Sequence, residues 1–435
     1  MKKHVPGESF AFLLILFLLI MIQGCKKDDP TGPEVLLPVE DNVVYQVEYN
    51  PTTRVYSNEK KAALEGVDSS GTVFTFNAQM LGEVPNAGDI IIVHGLHMRK
   101  VVSVNNTGAQ LIITTENATV SEAIKNGNIQ WQYTPKISEV SHVVVAGKEI
   151  VLSKPLSSGF TYEFDLVNWH YVIWMNPNGQ SATGQAELQV NFAITNSAIA
   201  GGKVTATLGA KGTMRLPQQA ANVKISNSTL TGFNCNNSSM RSELTLEYAA
   251  SFSQGGGQAL LELPGITLKV PLEAIAGFPI PLPIFITFGI SFNTIINLPS
   301  VTSNAFGKCV LKLDSNTGFE FTGTGFKTSH KLNDHDVGDL NFEVGDLSLM
   351  PAPIEVRHEL SAPKVGIEIA GTEVIWAACI YGTRSTLMVP SLCKAALDQV
   401  RIDYGYNLGV MGFSLAQGGD NLWHYTKEYY SPECN

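Results

Sequence analysis

The feature that most constrains this chain is a period-two alternation of apolar and polar residues, sustained through most of its length. Ala186, Leu188, Val190, Phe192 and Ile194 share one face, with Glu187, Gln189 and Asn191 on the other. Val204, Ala206, Leu208, Ala210 and Met214 stand opposite Lys203, Thr205, Thr207, Lys211 and Arg215 in the same way. The pattern returns at Leu244, Leu246, Tyr248, Ala250 and Phe252, and again at Ile284, Ile286, Phe288, Ile290 and Phe292. Successive side chains of a strand point to opposite faces, so each run reads as a half-buried strand. The runs outlast the usual strand of about five or six residues. One apolar and one polar face per strand implies antiparallel sheets packed on one side, as in a large sandwich or a sheet curled over a core. No stretch keeps helical periodicity for more than about three turns, and no βαβ unit is present. The predicted class is all-β, with a large antiparallel sandwich-like domain over 141–435.

A smaller β-meander module is predicted over 43–140. Thr72-Val73-Phe74-Thr75-Phe76 alternates like a strand, and Pro85-Asn86-Ala87-Gly88-Asp89 is turn chemistry leading into Ile90-Ile91-Ile92-Val93. Lys100-Val101-Val102-Ser103-Val104 and Leu111-Ile112-Ile113-Thr114-Thr115 flank the turn Asn105-Asn106-Thr107-Gly108, a hairpin pattern. Thr119 and Glu122 form a capping box that opens a short helix over Val120–Lys125, stopped by Gly127. The strings Gly88-Asp89-Ile90-Ile91 and Arg99-Lys100-Val101-Val102-Ser103-Val104, with Ala118-Thr119 before the short helix, resemble a small β-module of exported bacterial proteins. That resemblance implies a fold and no activity.

The N-terminus carries an address. Lys2 and Lys3 precede an uncharged apolar run from Phe10 to Ile22. As a helix it would reach about 20 Å, short of a hydrocarbon core of about 30 Å. It therefore reads as the apolar region of a secretory signal. Ile22-Gln23-Gly24-Cys25 resembles a bacterial lipobox, and Lys26-Lys27-Asp28-Asp29-Pro30 is similar to the charged stretch of Bacteroidota-type surface lipoproteins. The resemblance implies a signal peptide over 1–24, lipidation of Cys25, and a protein held at the outer membrane or cell surface. Several acyl chains on one cysteine anchor stably, each buried methylene adding about 0.8 kcal/mol. Residues 25–42, rich in Pro, Asp, Glu and Gly, read as a tether.

Charged residues make up only 16% of the chain, and its net charge of −10 leaves no basic patch to displace counterions from a nucleic acid. Besides Cys25 there are Cys235, Cys309, Cys379, Cys393 and Cys434, an odd number, so at least one stays unpaired within the chain. An exported protein keeps disulfides. Several pairings are open, and Cys393 with Cys434 is favoured because it would tie down the C-terminus. Cys379, within Val374-Ile375-Trp376-Ala377-Ala378-Cys379-Ile380, reads as a buried thiol acting as a small hydrophobe.

Motifs that carry chemistry are scarce, and no catalytic residue is assigned. Gly412-Phe413-Ser414-Leu415-Ala416 lacks the last glycine and the strand-turn-helix setting of a nucleophile elbow. His330, Asp334, His335, Asp336 and Asp339 form the densest polar cluster, read mainly as a solvated loop. Asp334, Asp336 and Asp339 alternate as oxygen donors to calcium would, without the spacing of the twelve-residue loop. His94 and His97 read as surface groups of a turn. Trp169, His170, Tyr171 and Trp174, and later Trp423, His424, Tyr425, Tyr429 and Tyr430, are aromatic-dense. Core packing explains most such residues, while Trp169, Trp174, Trp423 and Tyr425 are the candidates for a glycan platform. The segment Leu260–Leu298 is nearly uncharged and carries Pro264, Pro271, Pro279, Pro281 and Pro283, which rules out a membrane helix. It reads as core strands, or as a surface for an apolar ligand. The predicted role is non-catalytic: binding of a glycan or extracellular protein, adhesion or structure. The alternatives are a hydrolase with its site on loops and a carrier of hydrophobic molecules.

Overall fold

Alternation of this length leaves the backbone few options besides sheet, and strands dominate the computed structural model. It describes residues 42–434 apart from 153–158, 167–168, 181–185, 200–203, 253–256, 299–302, 324, 338–340, 346–353, 389–392 and 414–416. The first strands are β1 (Asn42–Tyr49), β2 (Thr53–Tyr56), β3 (Leu64–Val67), β4 (Val73–Asn77), β5 (Ile90–Val93), β6 (His97–Asn106), β7 (Gln110–Asn117) and β8 (Ile124–Tyr133). There follow β9 (His142–Val145), β10 (Lys148–Val151), β11 (Phe160–Leu166), β12 (Trp169–Gln180), β13 (Ala186–Ile199), β14 (Val204–Arg215) and β15 (Gln218–Ser226). The longest come next: β16 (Thr229–Phe252), β17 (Gly257–Pro271), β18 (Ile284–Leu298) and β19 (Ser303–Phe321). The last are β20 (Phe326–Val337), β21 (Asn341–Gly345), β22 (Ile354–Ile369), β23 (Thr372–Met388), β24 (Cys393–Asn407) and β25 (Gln417–Tyr430).

These strands make three sheets. An eleven-stranded sheet runs β1-β8-β15-β16-β14-β13-β12-β11, with β19 on the other edge of β16 and β20 and β21 beyond it. An eight-stranded sheet runs β10-β9-β17-β18-β22-β23-β24-β25, antiparallel throughout. The two face each other over a shared core that includes Leu188, Leu208, Leu244 and Leu311 of the first and Phe288, Val356, Val365 and Val400 of the second. The all-β, sandwich-like prediction therefore holds. Two-residue hairpins set the register: Asn227 and Ser228 join β15 to β16 at φ 49° and 57°, and Ala370 and Gly371 join β22 to β23 at 51° and 81°. Positive φ at both central residues matches the twist of the flanking strands.

The third sheet, β2-β5-β6-β7-β4-β3, belongs to the small module and has its own core of Tyr56, Phe74, Phe76, Ile91, Leu111 and Ile113. The boundaries of 43–140 group β1 and β8 with this module. In the structure those two strands pair with each other inside the eleven-stranded sheet, and the six-stranded sheet hangs between them. Pairing Tyr49 with Ile124 closes the insertion at its base. All four residues of β5 are buried, because Ile91 and Val93 enter the module's core while Ile90 and Ile92 join the sandwich core. The Thr119–Glu122 capping box is present, and its helix stops at Ala123 because Ile124 already belongs to β8. Cys393 and Cys434 form a disulfide, and Cys235, Cys309 and Cys379 are buried thiols whose pKa burial pushes up to about 12.

Candidate functional site

Cys25 and Asp339 lie outside the described residues, as does the side chain of Trp169. Asp334 and Asp336 sit on β20, a strand and not the loop expected of them, because β20 pairs with β19 along this stretch. The Asp334 carboxylate is held by the Lys312 ammonium at 2.5 Å, which lowers its pKa. Among the described residues no group of three His, Cys, Asp or Glu side chains gathers as metal ligands. His94 corrects another expectation. It is buried, and its Nε2 lies 2.9 Å from Glu273 Oε2 on the short helix Leu272–Ala276, so it ties the module to the sandwich. His97 is edge-on to Phe74 within the module.

The aromatic candidates do not converge. Trp174 is half-buried on β12 of the eleven-stranded sheet. Trp423 and Tyr425 stack on β25, with ring centroids 6.4 Å apart, and both meet the edge of His335 on β20 at 5.6 and 5.1 Å. Trp423 pairs with Ile402 and Tyr425 with Val400, both core residues, so these rings are on the inner side of β25. They close the seam between the sheets. The apolar segment Leu260–Leu298 supplies β17 and β18, and Ile266, Leu268, Val270, Ile284, Ile286 and Phe288 are buried in the core. These strand positions are core, while Phe278 in the connection between β17 and β18 is exposed.

An open groove of about 1070 Å³, lined in part by Trp423, lies along the outer face of the eight-stranded sheet toward β25. Its floor follows from register. Trp376 on β23 pairs with Gly366 on β22 and Gly405 on β24, and Gly405 pairs with Gly419 on β25. Three of the four residues in this row are glycine, so a large ring lies flat where alternation would otherwise place competing groups. A methyl group built on Gly405 would stand 2.6 Å from the Trp376 indole, which shows how closely the ring covers that backbone. The Lys364 ammonium is 4.9 Å from the ring centroid and 2.7 Å from Glu373 Oε2. Cations near an indole face are attracted by its quadrupole.

Polar walls rise from β24 and β25. Arg401 Nε donates to Asp403 Oδ2 at 2.8 Å, and Asn421 Nδ2 donates to Asp403 Oδ1 at 2.9 Å, so one carboxylate is held in a planar fork. Arg401 Nη2 also reaches Glu359 Oε2 at 3.3 Å. Partial burial pulls the Arg401 pKa down, but the Asp403 and Glu359 carboxylates outweigh it and the net shift is upward. Gln399, Asp420, Trp423 and His424 also line the groove. The arrangement presents a half-buried indole, with the Lys364 ammonium over its ring, among hydrogen-bonding groups.

Trp376 escaped the sequence because it sits in an apolar run that reads as buried. The signal was Gly366, Gly405 and Gly419, but their relation to Trp376 is a matter of strand pairing. The chain matches no protein-family model, no curated protein and no solved structure, so its chemistry rests on these residues.

Proposed function

We propose that this chain is a lipid-anchored surface protein that captures carbohydrate on the outer face of its eight-stranded sheet. The observation that carries the reading is the Trp376 indole lying flat over Gly405 in an open groove walled by Arg401, Asp403 and Asn421. Sugar rings have one face of C–H groups, which packs on an aromatic ring, and a rim of hydroxyls, which needs donors and acceptors in fixed directions. Trp376 provides the first. The Arg401–Asp403–Asn421 fork provides the second, and charge-assisted hydrogen bonds are the stronger kind. Burying an aromatic face in a binding site often contributes 2 kcal/mol or more, on the order of a thirtyfold change in affinity.

The lipobox resemblance at Ile22-Gln23-Gly24-Cys25 supports display at the outer membrane or cell surface. The test is a glycan array probed with the full chain and with Trp376→Ala. Binding to a defined set of glycans, lost at least about thirtyfold in the variant while its melting temperature stays near that of the parent, is the expected result. Silence across the array, or binding that Trp376→Ala leaves intact, overturns the reading. In the same cells, Cys25→Ala is expected to release the protein from the membrane fraction; a variant still membrane-bound would remove the anchor from the proposal.

A further inference from the structure

The groove at Trp376 does not end there. Resting on the carbohydrate reading above, we propose that the outer face of β23 is a trough for an extended, uncharged polysaccharide chain, running from Trp376 to Arg384 beneath a strap formed by Arg401 and Glu359. Along β23 the outward positions are Trp376, Ala378, Ile380, Gly382 and Arg384. Between the two ends the side chains are short or buried. The flanking strands carry longer polar side chains: Lys364, Glu359 and Arg357 on β22, and Asp403, Arg401 and Gln399 on β24. A lane of low residues between polar walls is a trough. The eight residue steps from Trp376 to Arg384 span about 27 Å at about 3.4 Å each, room for several sugar rings in line.

A second cavity of about 300 Å³ continues the first and is lined by Asn293, Arg357, Glu359, Gly382, Arg384 and Gln399 among others. Gln399 lines both. What separates them is the Arg401–Glu359 ion pair, which reaches from β24 to β22 across β23. Glu359 is more than half exposed, so the strap costs little to open.

Gly382 supplies an independent argument. Glycine inside a strand weakens it, and where the fold does not require it the usual reason is the close approach of something to the backbone. Gly405 is required, since the Trp376 ring occupies the space of its side chain. Gly382 is not: a methyl group there would meet nothing nearer than 3.9 Å, and its φ is not in the left-handed region. The space above it is open to a ligand.

The chemistry of the walls selects the ligand class. Each cation along the trough already has a carboxylate: Arg357 and Arg384 share Glu355, Arg401 holds Asp403 and Glu359, and Lys364 holds Glu373. These pairs are balanced in charge and rich in donors and acceptors, which suits hydroxyl groups and gives an acidic chain no unmatched cation. A peptide fits less well. Peptide recognition by a sheet uses the unpaired backbone of an edge strand, and β23 is paired on both sides.

The experiment measures affinity of the full chain, in detergent, for cello-, xylo- and manno-oligosaccharides from a single ring to the hexasaccharide, with oligogalacturonates and an extended peptide as comparators. Affinity for one neutral series is expected to rise at least about tenfold from disaccharide to hexasaccharide. Gly382→Leu is expected to return the hexasaccharide to the disaccharide's affinity without changing the latter; Leu397→Trp on β24, a residue that lines the second cavity and not the Trp376 groove, serves should the first variant unfold. Equal affinity at all lengths, retention of the length dependence in folded variants of both positions, or preference for the acidic chain or the peptide overturns the trough. Disaccharide binding that Trp376→Ala abolishes, without length dependence, overturns the trough alone. Absence of binding at every length overturns the trough and the carbohydrate reading together.

Discussion

The two faces of the eight-stranded sheet come from the same strands, one residue out of step, and they treat polar groups in opposite ways. On the outer face Arg401, Asp403, Glu359 and Asn421 satisfy one another while staying in reach of solvent. On the inner face a polar row crosses the sheet in register: Thr294 on β18, His358 on β22, Thr383 on β23 and Asp398 on β24, all buried. His358 Nδ1 lies 2.7 Å from Thr294 Oγ1, and its ring packs 4.4 Å from that of Tyr248 on the facing sheet. His358 Nε2, Thr383 Oγ1 and Tyr248 Oη have no hydrogen-bond partner among the described residues. A buried polar atom left so costs about 1–3 kcal/mol. Polarity on the outer face is mutually satisfied within reach of solvent, whereas on the inner face part of it is left unpaired at the expense of stability.

The largest effect that would break this contrast concerns the core. Phe288, buried on the inner face of β18, is expected to cost about 3–5 kcal/mol when replaced by Ala, measured by denaturant unfolding. A loss below about 1 kcal/mol would mean that the two sheets are not packed over one core. Next in size is a dependence on pH. Burial lowers the His358 pKa to about 3, while the unfolded chain titrates near the ordinary value of about 6.5. Between those values the unfolded state binds the proton and the folded state does not. Stability is therefore complete above about pH 6.5 and falls on acidification, by about 1.4 kcal/mol per pH unit from this group. His142 and His97, also lowered by burial, add in the same sense. His358→Gln is expected to remove the largest share of the slope between about pH 6 and pH 4.5; an unchanged slope would show that the row is hydrated in solution. The smallest effect sharpens the outer face. Arg401→Gln is expected to change stability by less than about 1 kcal/mol, as for a solvent-accessible ion pair. A loss several times larger would make the strap a structural brace.

Legibility differed by region for physical reasons. The alternating faces of β13, β14 and β16 were readable residue by residue: Leu188, Val190, Leu208, Met214 and Leu246 are buried as their spacing requires. The Thr119 cap and the Cys393–Cys434 disulfide were also within reach, one because its partners are three residues apart, the other because it joins a strand start to the chain end. The burial of His94 is invisible in its local sequence because its partner, Glu273, is 179 residues away. Asp334 was misplaced in a loop because its strand alternates weakly. Trp423 and Tyr425 stand out in the sequence by their density, but pairing with Ile402 and Val400 puts them on the inner side of the edge.

By itself, the sequence determined that this chain is all-β and which side of each long strand is wet, because side-chain direction in a strand is a local property of the backbone. It also supplies, in a string of adjacent residues, the lipobox resemblance on which the proposed anchoring rests. Only the tertiary structure decided that β1 and β8 belong to the large sheet, and that Gly366, Trp376, Gly405 and Gly419 stand in one row. Alternation says which way a side chain points and nothing about its neighbour on the next strand. That neighbour is chosen by register, and register is set by turns, bulges and the burial of whole faces at once.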